Sequence, residues 1–527
     1  MTTTLFACAA SLAAGHMKAQ APAIEWKTVN SAYIGYAFCV EQSDDGGYIV
    51  GGSYASHYLT FKLDANGTQQ WGRYLFSGVG VGGVYSIKQT SDQGYIAAGT
   101  DFVTSGTDSI GNHGLRDFMV AKTNSFGTPQ WIKCLGGTSN EEAKSIEQTA
   151  DGGYIVAGYS FSNDNQVSGV HGYCDYWVVK LNSSGAITWQ KSLGGSNYDY
   201  ATSVVQTSDG GYIVAGYSGS KDGDVTGTHW GGSDNDVWVV KLDAAGAIVW
   251  QKSYGGSKDD QANSIRQTAD GGYIIAGTTT SNDGNVSGKH GTSYDNNDYW
   301  IIKINSTGTL VWQKCLGGTG SGTGAGSGND IAYSIRQTPD GGYVVAGTVS
   351  SGSASNDDIT GYHGITGSDY WIVKLDNAGA ISWQKCLGGN GTEDARAIGL
   401  TSDGGYIIAG TTIYSPDGDV ATSSYSDNHP WIVKLKGTGG SSTGMEETTD
   451  AFTLSLSPNP ATDLVTISNA PDHALLEISD LTGKILFSKT IESTTQTIAL
   501  ENLANGVYIV RLENKGNTVT KKLVIHQ

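Results

Sequence analysis

The chain has 527 residues, 76 of them glycine, with 10 % aromatic and only 15 % charged residues. Plentiful aromatics and sparse charge exclude a disordered chain, and glycine with little proline and no three-residue period excludes a collagen-like one. A formal net charge of -19 argues against a nucleic-acid partner, which needs Lys and Arg against its phosphates.

Residues 1–20 read as a signal-peptide-like segment, with a short apolar run from Leu5 to Ala14 closing on Ala19-Gln20-Ala21. No positive charge precedes the run, as though its front were missing. Leu5-Phe6-Ala7-Cys8 offers a lipoprotein acceptor box as a second reading of the same stretch. Elsewhere no apolar run reaches the roughly 20 residues of a membrane-spanning helix. The six cysteines show no spacing of a zinc site or a disulfide framework.

Residues 21–436 repeat one sentence seven times. The landmark Gly-Tyr places its tyrosine at 48, 95, 154, 212, 273, 343 and 406, a period of roughly 60 residues. Each unit carries four strand signals, as in ATSVVQT, YIVAG, VWVVKL and AIVWQK of the unit that starts at Asp199. An Asp-Gly-Gly turn joins the first two, and a D/N-x-x-G turn joins the last two. Four antiparallel strands per unit, repeated, predict a β-propeller.

The fourth-strand tryptophans (Trp71, Trp131, Trp189, Trp250, Trp312, Trp383) serve only six units, and the last unit stops at Leu435. The orphan strand Ala23-Ile24-Glu25-Trp26-Lys27 matches the missing one. Donating it to the last unit would close a seven-bladed ring and remove an exposed edge. Small residues such as Ala201, Ser264 and Ala332 are expected to line the axis. The Lys of VVKL is expected to reach water, and Cys134, Cys315 and Cys386 to act as small filler.

Antiparallel geometry gathers the second-to-third loops and the unit-to-unit loops on one face, where binding residues are expected. His171, His229, His290 and His363 recur there, with the aromatics Tyr173, Trp230, Tyr294 and Tyr362 close by. The carboxylates Glu141, Asp199, Asp260, Asp330 and Glu393 precede the first strands and are expected to ring the mouth of a central channel. The acidic loop positions Asp164, Asp222, Asp224, Asp283, Asp357, Asp417 and Asp419 admit three readings: Asx-turn stapling of the loops, contact with a ligand, or oxygen donors for Ca2+. The turn Thr207 to Tyr212 partly resembles the Asp-box of sialidase-type propellers, with its aromatic in another register. No P-loop, HExxH, G-x-S-x-G or dinucleotide fingerprint is present.

Residues 437–450 read as a flexible acidic linker. Residues 451–527 lose Trp and the Gly-Gly pairs and show about seven short alternating strand runs, which predict a small Ig-like β-sandwich. Three motifs stand in order: Pro458-Asn459-Pro460, then Asp480-Leu481-Thr482-Gly483-Lys484, then Leu503 to Tyr508 with Gly506. This tail resembles the type A C-terminal sorting domain of the type IX secretion system of Bacteroidota. The resemblance implies Sec export to the periplasm, engagement of the type IX machinery, and release or attachment at the outer-membrane surface.

The repeats are similar to the Gly-Gly-Tyr propeller repeats of secreted Bacteroidota proteins, a resemblance that implies no defined activity. The expected fold is therefore all-β: a seven-bladed propeller of four-stranded blades, then a small Ig-like sandwich. The expected role is binding or adhesion, with a surface glycan or protein met by the acidic long-loop face. A polysaccharide-active enzyme using carboxylates of that face, and a passive surface scaffold, are the alternatives.

Overall fold

The computed structural model describes residues 19–30, 33–54, 57–75, 82–102, 111–229, 234–291, 296–318, 329–350, 358–363, 367–413, 417–420 and 427–437. In the tail it describes 455–457, 461–468, 470–471, 473–479, 485–500, 503, 506–514 and 517–525. Every regular element among these residues is a β-strand. The chain divides into two compact units, Met1–Gly440 and Ser441–Gln527. The linker from 438 to 450 and the segment before residue 19 lie outside the described residues.

Strand β1 (Ile24–Val29) precedes the repeats. The first set is β2 (Gly35–Gln42), β3 (Tyr48–Tyr54), β4 (His57–Leu63) and β5 (Gln69–Tyr74). The second is β6 (Val84–Gln89), β7 (Tyr95–Phe102), β8 (Arg116–Thr123) and β9 (Pro129–Leu135). The third is β10 (Glu141–Gln148), β11 (Tyr154–Ser160), β12 (Asp175–Leu181) and β13 (Ile187–Leu193). The fourth is β14 (Asp199–Gln206), β15 (Tyr212–Ser218), β16 (Asp236–Leu242) and β17 (Ile248–Tyr254). The fifth is β18 (Asp260–Gln267), β19 (Tyr273–Thr279), β20 (Asp298–Ile304) and β21 (Leu310–Leu316). The sixth is β22 (Ile331–Gln337), β23 (Tyr343–Ser350), β24 (Ser368–Leu375) and β25 (Ile381–Leu387). The last repeat supplies three strands, β26 (Thr392–Leu400), β27 (Tyr406–Ile413) and β28 (His429–Leu435).

Each set is an antiparallel sheet paired in chain order, and β1 pairs antiparallel with β28, Thr28 opposite Ile432 and Lys27 opposite Val433. The sixth and last sets touch through one parallel bridge, Ser368 to Thr392. Isolated bridges of the same kind join Arg116 to Asn140 and Cys174 to Tyr198 between earlier neighbours. The whole is a propeller-like succession of four-stranded sheets.

The Asp-Gly-Gly turn explains itself locally. Thr207 N–H donates to the Gly211 carbonyl at 2.9 Å, while Asp209 Oδ1 accepts the Gly211 N–H at 3.0 Å and the Thr207 hydroxyl. Gly210 sits at φ +82°, which a side chain resists, and a Cβ on Gly211 would run into Lys241 Nζ and the Leu242 carbonyl. That contact corrects the expectation for the VVKL lysines. Lys180, Lys241, Lys303 and Lys374 are at most 5 % exposed. They fold back onto the turn carboxylates, with Lys241 Nζ 2.9 Å from Asp209 and Lys180 Nζ 2.8 Å from Asp151. Hydrogen bonds from Thr207 and Lys241 push the Asp209 carboxyl down to about 2.

Neighbouring sheets share their cores. Ile155, Tyr176 and Val178 of the third set pack with Val204, Val214 and Trp238 of the fourth. Ala37, Val50 and Phe61 of the first set pack in the same way with Ala397, Ile407 and Ile432 of the last. Fourth-strand tryptophans lie on the next sheet's Gly-Tyr landmark: Trp189 is 5.7 Å from Tyr212 and Trp383 is 5.7 Å from Tyr406. Trp26 of β1 stands 5.5 Å from Tyr48 of the first sheet, the same relation across the chain ends. Cys134, Cys315 and Cys386 are buried and unbridged.

A hydrogen bond also steps from sheet to sheet at the hairpin turns. Backbone N–H groups of Asp44, Ser91, Ala150, Ser208 and Ala269 donate to the side-chain oxygens of Gln89, Gln148, Gln206, Gln267 and Gln337. Ser402 N–H donates to Gln42 Oε1 at 2.7 Å, joining the last set to the first. At the remaining junction the donor position is Pro339, which has no N–H, and the acceptor position is Leu400.

In the second unit, β29 (Ser455–Ser457), β30 (Leu464–Ser468) and β33 (Thr495–Ala499) form one sheet. A second runs β32 (Ile485–Thr490), β31 (Leu475–Ser479), β34 (Gly506–Asn514) and β35 (Asn517–Ile525). Val465, Ile467 and Ile498 of the first face Leu476, Ile478, Val510, Leu512 and Leu523 of the second in one apolar core.

Candidate functional site

The five carboxylates expected at a channel mouth are inside the protein. Glu141, Asp199, Asp260, Asp330 and Glu393 are all 0 % exposed. Asp199 opens β14 opposite Ser218, on the face that packs inward. It accepts the Gly195 N–H at 2.8 Å, the Ser220 hydroxyl at 2.9 Å and the Ser218 hydroxyl. Asp260 repeats this with Gly256, Ser281 and Thr279. Burial outweighs these bonds and pushes Asp199 up to about 6 and Asp260 up to about 7. The reason for the correction is alternation: the side chain two residues before the Ala lies on the same inward face as that Ala.

The recurring histidines have partners that the sequence pattern hid. His171 Nδ1 lies 2.8 Å from Asp175 Oδ2, and the same oxygen accepts the His171 N–H at 2.9 Å. His113 with Asp117, His229 with Asp236, His290 with Asp298 and His363 with Asp369 repeat the clamp. His290 Nε2 and His363 Nε2 also face the next loop, 3.6 Å from Asp358 and 3.8 Å from Asp419. The histidines therefore staple loop to strand and loop to loop.

The acidic loop positions staple the loops as well. Asp164, Asp222, Asp283 and Asp417 accept the backbone N–H groups of Thr138, Ser196, Ser257 and Asn390. Asp224 Oδ2 is 3.3 Å from the Gly194 N–H. Among the described residues no group of three or more His, Cys, Asp or Glu side chains is placed to hold a metal ion. Tyr362 donates to the Gly367 carbonyl at 2.7 Å. Trp230, Tyr294 and Asp357 lie outside the described residues, as do Pro458, Asn459, Pro460, Asp480, Gly483 and Lys484 of the tail. Gly506 opens β34, and Tyr508, 7 % exposed, joins the tail core.

The distinctive chemistry sits on the half-exposed face of the first strands. Ala201 and Ala332 are 0 % exposed and Ser264 is 4 % exposed, so the small residues point into the packing between sheets. Each first strand carries a register shift there, as between Ala201 and Ser203, and the residues on either side of the alanine face outward. These positions change residue type from unit to unit. One is Tyr36, Glu142, Tyr200, Gln261, Ile331 or Asp394; the other is Phe38, Tyr85, Lys144, Thr202, Asn263, Tyr333 or Arg396.

Where β2, β6 and β10 converge, Tyr36, Phe38, Tyr85, Arg116 and Glu142 line a hollow of about 410 Å3. Tyr36 stacks on Phe38 at 5.7 Å, and Phe38 meets Tyr85 at 5.1 Å. Glu142 takes both Arg116 at 2.7 Å and Lys144 at 2.8 Å, and Lys144 Nζ stands 4.4 Å above the Tyr85 ring. Those cations hold Glu142 below the usual carboxylate range against the effect of its burial. Aromatic faces beside a fixed ion-pair network can grip a ligand of mixed apolar and polar character. The signal was present in the sequence as the two first-strand positions flanking the alanine, which vary from unit to unit.

Residues 455–526 match the family described as secretion system C-terminal sorting domain. The chain is thus a protein with a type IX secretion tail, of the class exported through the periplasm to the cell surface or beyond. Among the described residues no helix is long and apolar enough to cross a membrane.

Among curated proteins, the chain is similar to the regulatory protein FlaEY of Caulobacter vibrioides, 25 % identical over 163 residues. That match takes in 29 % of this chain and 17 % of the relative's length. Among solved structures it is similar to a catalytically inactive virginiamycin B lyase from Staphylococcus aureus determined with quinupristin. There the identity is 10 %, the TM-score 0.43, and the cover 77 % of this chain and 98 % of that one. It is also similar to PorZ of Porphyromonas gingivalis, a surface component of the type IX secretion system, at 11 % identity and TM-score 0.23. That match covers 93 % of this chain and 81 % of the other.

Proposed function

We propose that this protein is a surface-displayed binding module. In this reading the seven repeats are blades of a closed propeller, with β1 completing the last, and the tail is a small Ig-like sandwich that addresses the chain to the type IX machinery. A glycan or protein ligand is received on the long-loop face. Support for the ring comes from β1 on β28, from Trp26 on Tyr48 and from the Ser402 to Gln42 hydrogen bond.

The observation that carries the binding role is the break in the repeat at the hollow. Structural positions keep one residue type in nearly every unit, whereas the positions of Tyr36, Phe38, Tyr85, Glu142 and Lys144 change type around the repeats and bring these residues together only at the hollow. Exposed aromatics gathered beside an ion-pair network serve no packing need of a bare scaffold. The buried, hydrogen-bonded Glu141 and Asp199 class is out of reach of a substrate, which weighs against the enzymatic alternative.

The experiment is binding of the labelled full chain to arrays of immobilised glycans and of surface proteins. Retention that Tyr36→Ala and Tyr85→Ala weaken by about tenfold supports the reading. No retention on either array, or retention indifferent to both substitutions, overturns it. Deletion of 451–527 should leave the protein in the periplasm of its host, measured by cell fractionation.

A further inference from the structure

A line of aromatic rings runs from the exposed loop edge of the third and fourth sheets toward the hollow. Tyr173 is 66 % exposed and stacks on Tyr198 at 5.3 Å with planes 19° apart. Tyr198, 41 % exposed, lies 6.2 Å from Tyr200 with planes parallel to 2°. Their spacing of two along an extended chain puts both on one face. Tyr200 meets Tyr159 at 4.7 Å, and Lys144 Nζ stands 5.5 Å from the Tyr159 ring and 4.4 Å from that of Tyr85. The line therefore ends on the Arg116–Glu142–Lys144 network.

The outer rings of this line, Tyr173 and Tyr198, are not part of the repeat. Tyr198 stands where other units have Asn140, Asp259 or Asn329, while Tyr200 matches Tyr36 of the first unit and replaces Glu142, Gln261 or Ile331 of others. Packing does not call for it either, because the outer two rings are well exposed. Large aromatics left in water and aligned in sequence signal a surface built to be covered.

We infer that Tyr173, Tyr198, Tyr200 and Tyr159 form a track for a neutral glycan chain. Sugar rings pack on the exposed parts of Tyr173 and Tyr198, and hydroxyls at the inner end meet Glu142, Lys144 and Arg116. This rests on the binding role proposed above and gives its ligand a class. A narrow line of rings, open at its outer end and leading to a polar cluster, suits an extended chain of ring units better than a globular partner. The chain's net charge of -19 repels a polyanion, so the glycan is uncharged.

Affinity electrophoresis and calorimetry of the full chain test the inference, with a soluble neutral β-glucan and a galactomannan as probes and polygalacturonate as the anionic comparison. The expected result is retardation by a neutral probe. Tyr173→Ala and Tyr198→Ala each weaken it about tenfold, while Tyr198→Phe stays within about twofold because the ring is kept. Both positions are exposed, so melting temperatures should not move. Unchanged neutral-glycan binding in the Tyr173→Ala/Tyr198→Ala double variant overturns the track. So does preference for polygalacturonate. Retention on protein spots alone, lost in Tyr85→Ala, overturns the glycan assignment and leaves the binding role standing; silence on both arrays removes the two together.

Discussion

Two buried carboxyl groups face each other across a single glycine in unit after unit. Asp175 and Asp199 flank Gly194, Asp236 and Asp260 flank Gly255, and Asp369 and Glu393 flank Gly388. Asp175 Oδ1, Asp236 Oδ1 and Asp369 Oδ1 are buried without a hydrogen-bond partner. Burial, and to a lesser degree repulsion from Asp175, raises Asp199 to about 6, so that it gains a proton as pH falls below that value.

The consequence for stability follows from linkage. An unfolded Asp titrates near 3.9, below the folded value, so between about pH 4 and pH 6 the folded state binds more protons. Stability is then greatest at the acid end of that window, falls as pH rises through it and levels off above. About two units correspond to roughly 3 kcal/mol per site. Urea unfolding of Asp199→Asn should show a shallower fall between pH 4.5 and 7.5 than the wild type; an identical slope would count against a proton held there. The turn carboxylates act in the other direction, since Asp209 at about 2 loses its contribution only as pH drops toward that value. Gly194 itself admits no side chain, because a Cβ would collide with Asp199 Oδ2. Gly194→Ala should cost about 1–3 kcal/mol by overpacking, read from the urea midpoint. The histidines were legible as a recurring residue, but their buried aspartates stand four to eight positions away across loops of unequal length, so no fixed spacing marks the pair.

Strands and turns were the most legible elements, because each is written in local chemistry: period-two apolar runs, Asp-Gly-Gly and D/N-x-x-G. What alternation alone missed was the bulge in every first strand, which changes which residues face outward after the alanine. The VVKL lysines were missed because a lysine on an outer strand usually extends to water, and only the second glycine of the turn makes room for it to fold back. The donated strand shows a further element-scale effect. Trp177, Trp238, Trp300 and Trp371 each donate Nε1–H at 2.8 Å to a fourth-strand glutamine, Gln190, Gln251, Gln313 and Gln384. In the last sheet the fourth strand is β1, whose residue at that place is Lys27, and Trp431 Nε1 is buried with no partner. A buried N–H left unpaired costs about 1–3 kcal/mol. Lys27→Gln should recover about 1 kcal/mol of it, raising the thermal midpoint, whereas Lys27→Ala should not.

For the whole molecule, the proposed closure completes the last sheet with a strand only six residues long, beside the core that the first and last sheets share. Without β1, the edge of β28 is bare, Ile24 and Val29 no longer pack beside Val433 and Leu435, and Trp26 leaves the Tyr48 face of the first sheet open. The other junctions do not share this weakness, because there the fourth strand is held by a hairpin in its own unit. Removing residues 21–30 should therefore lower the melting temperature far more than an internal change of equal area, and the bared β28 edge should favour association. Trp26→Ala should give an intermediate loss of about 3–5 kcal/mol or less, since that ring is only partly buried. A synthetic peptide of residues 21–30 added to the truncated chain should restore part of the melting temperature in a concentration-dependent way, as ligand linkage requires. If the truncated chain melts like the full one and ignores the peptide, the sheets are not held in a ring by this strand. The long-loop hollow would then need another source of rigidity.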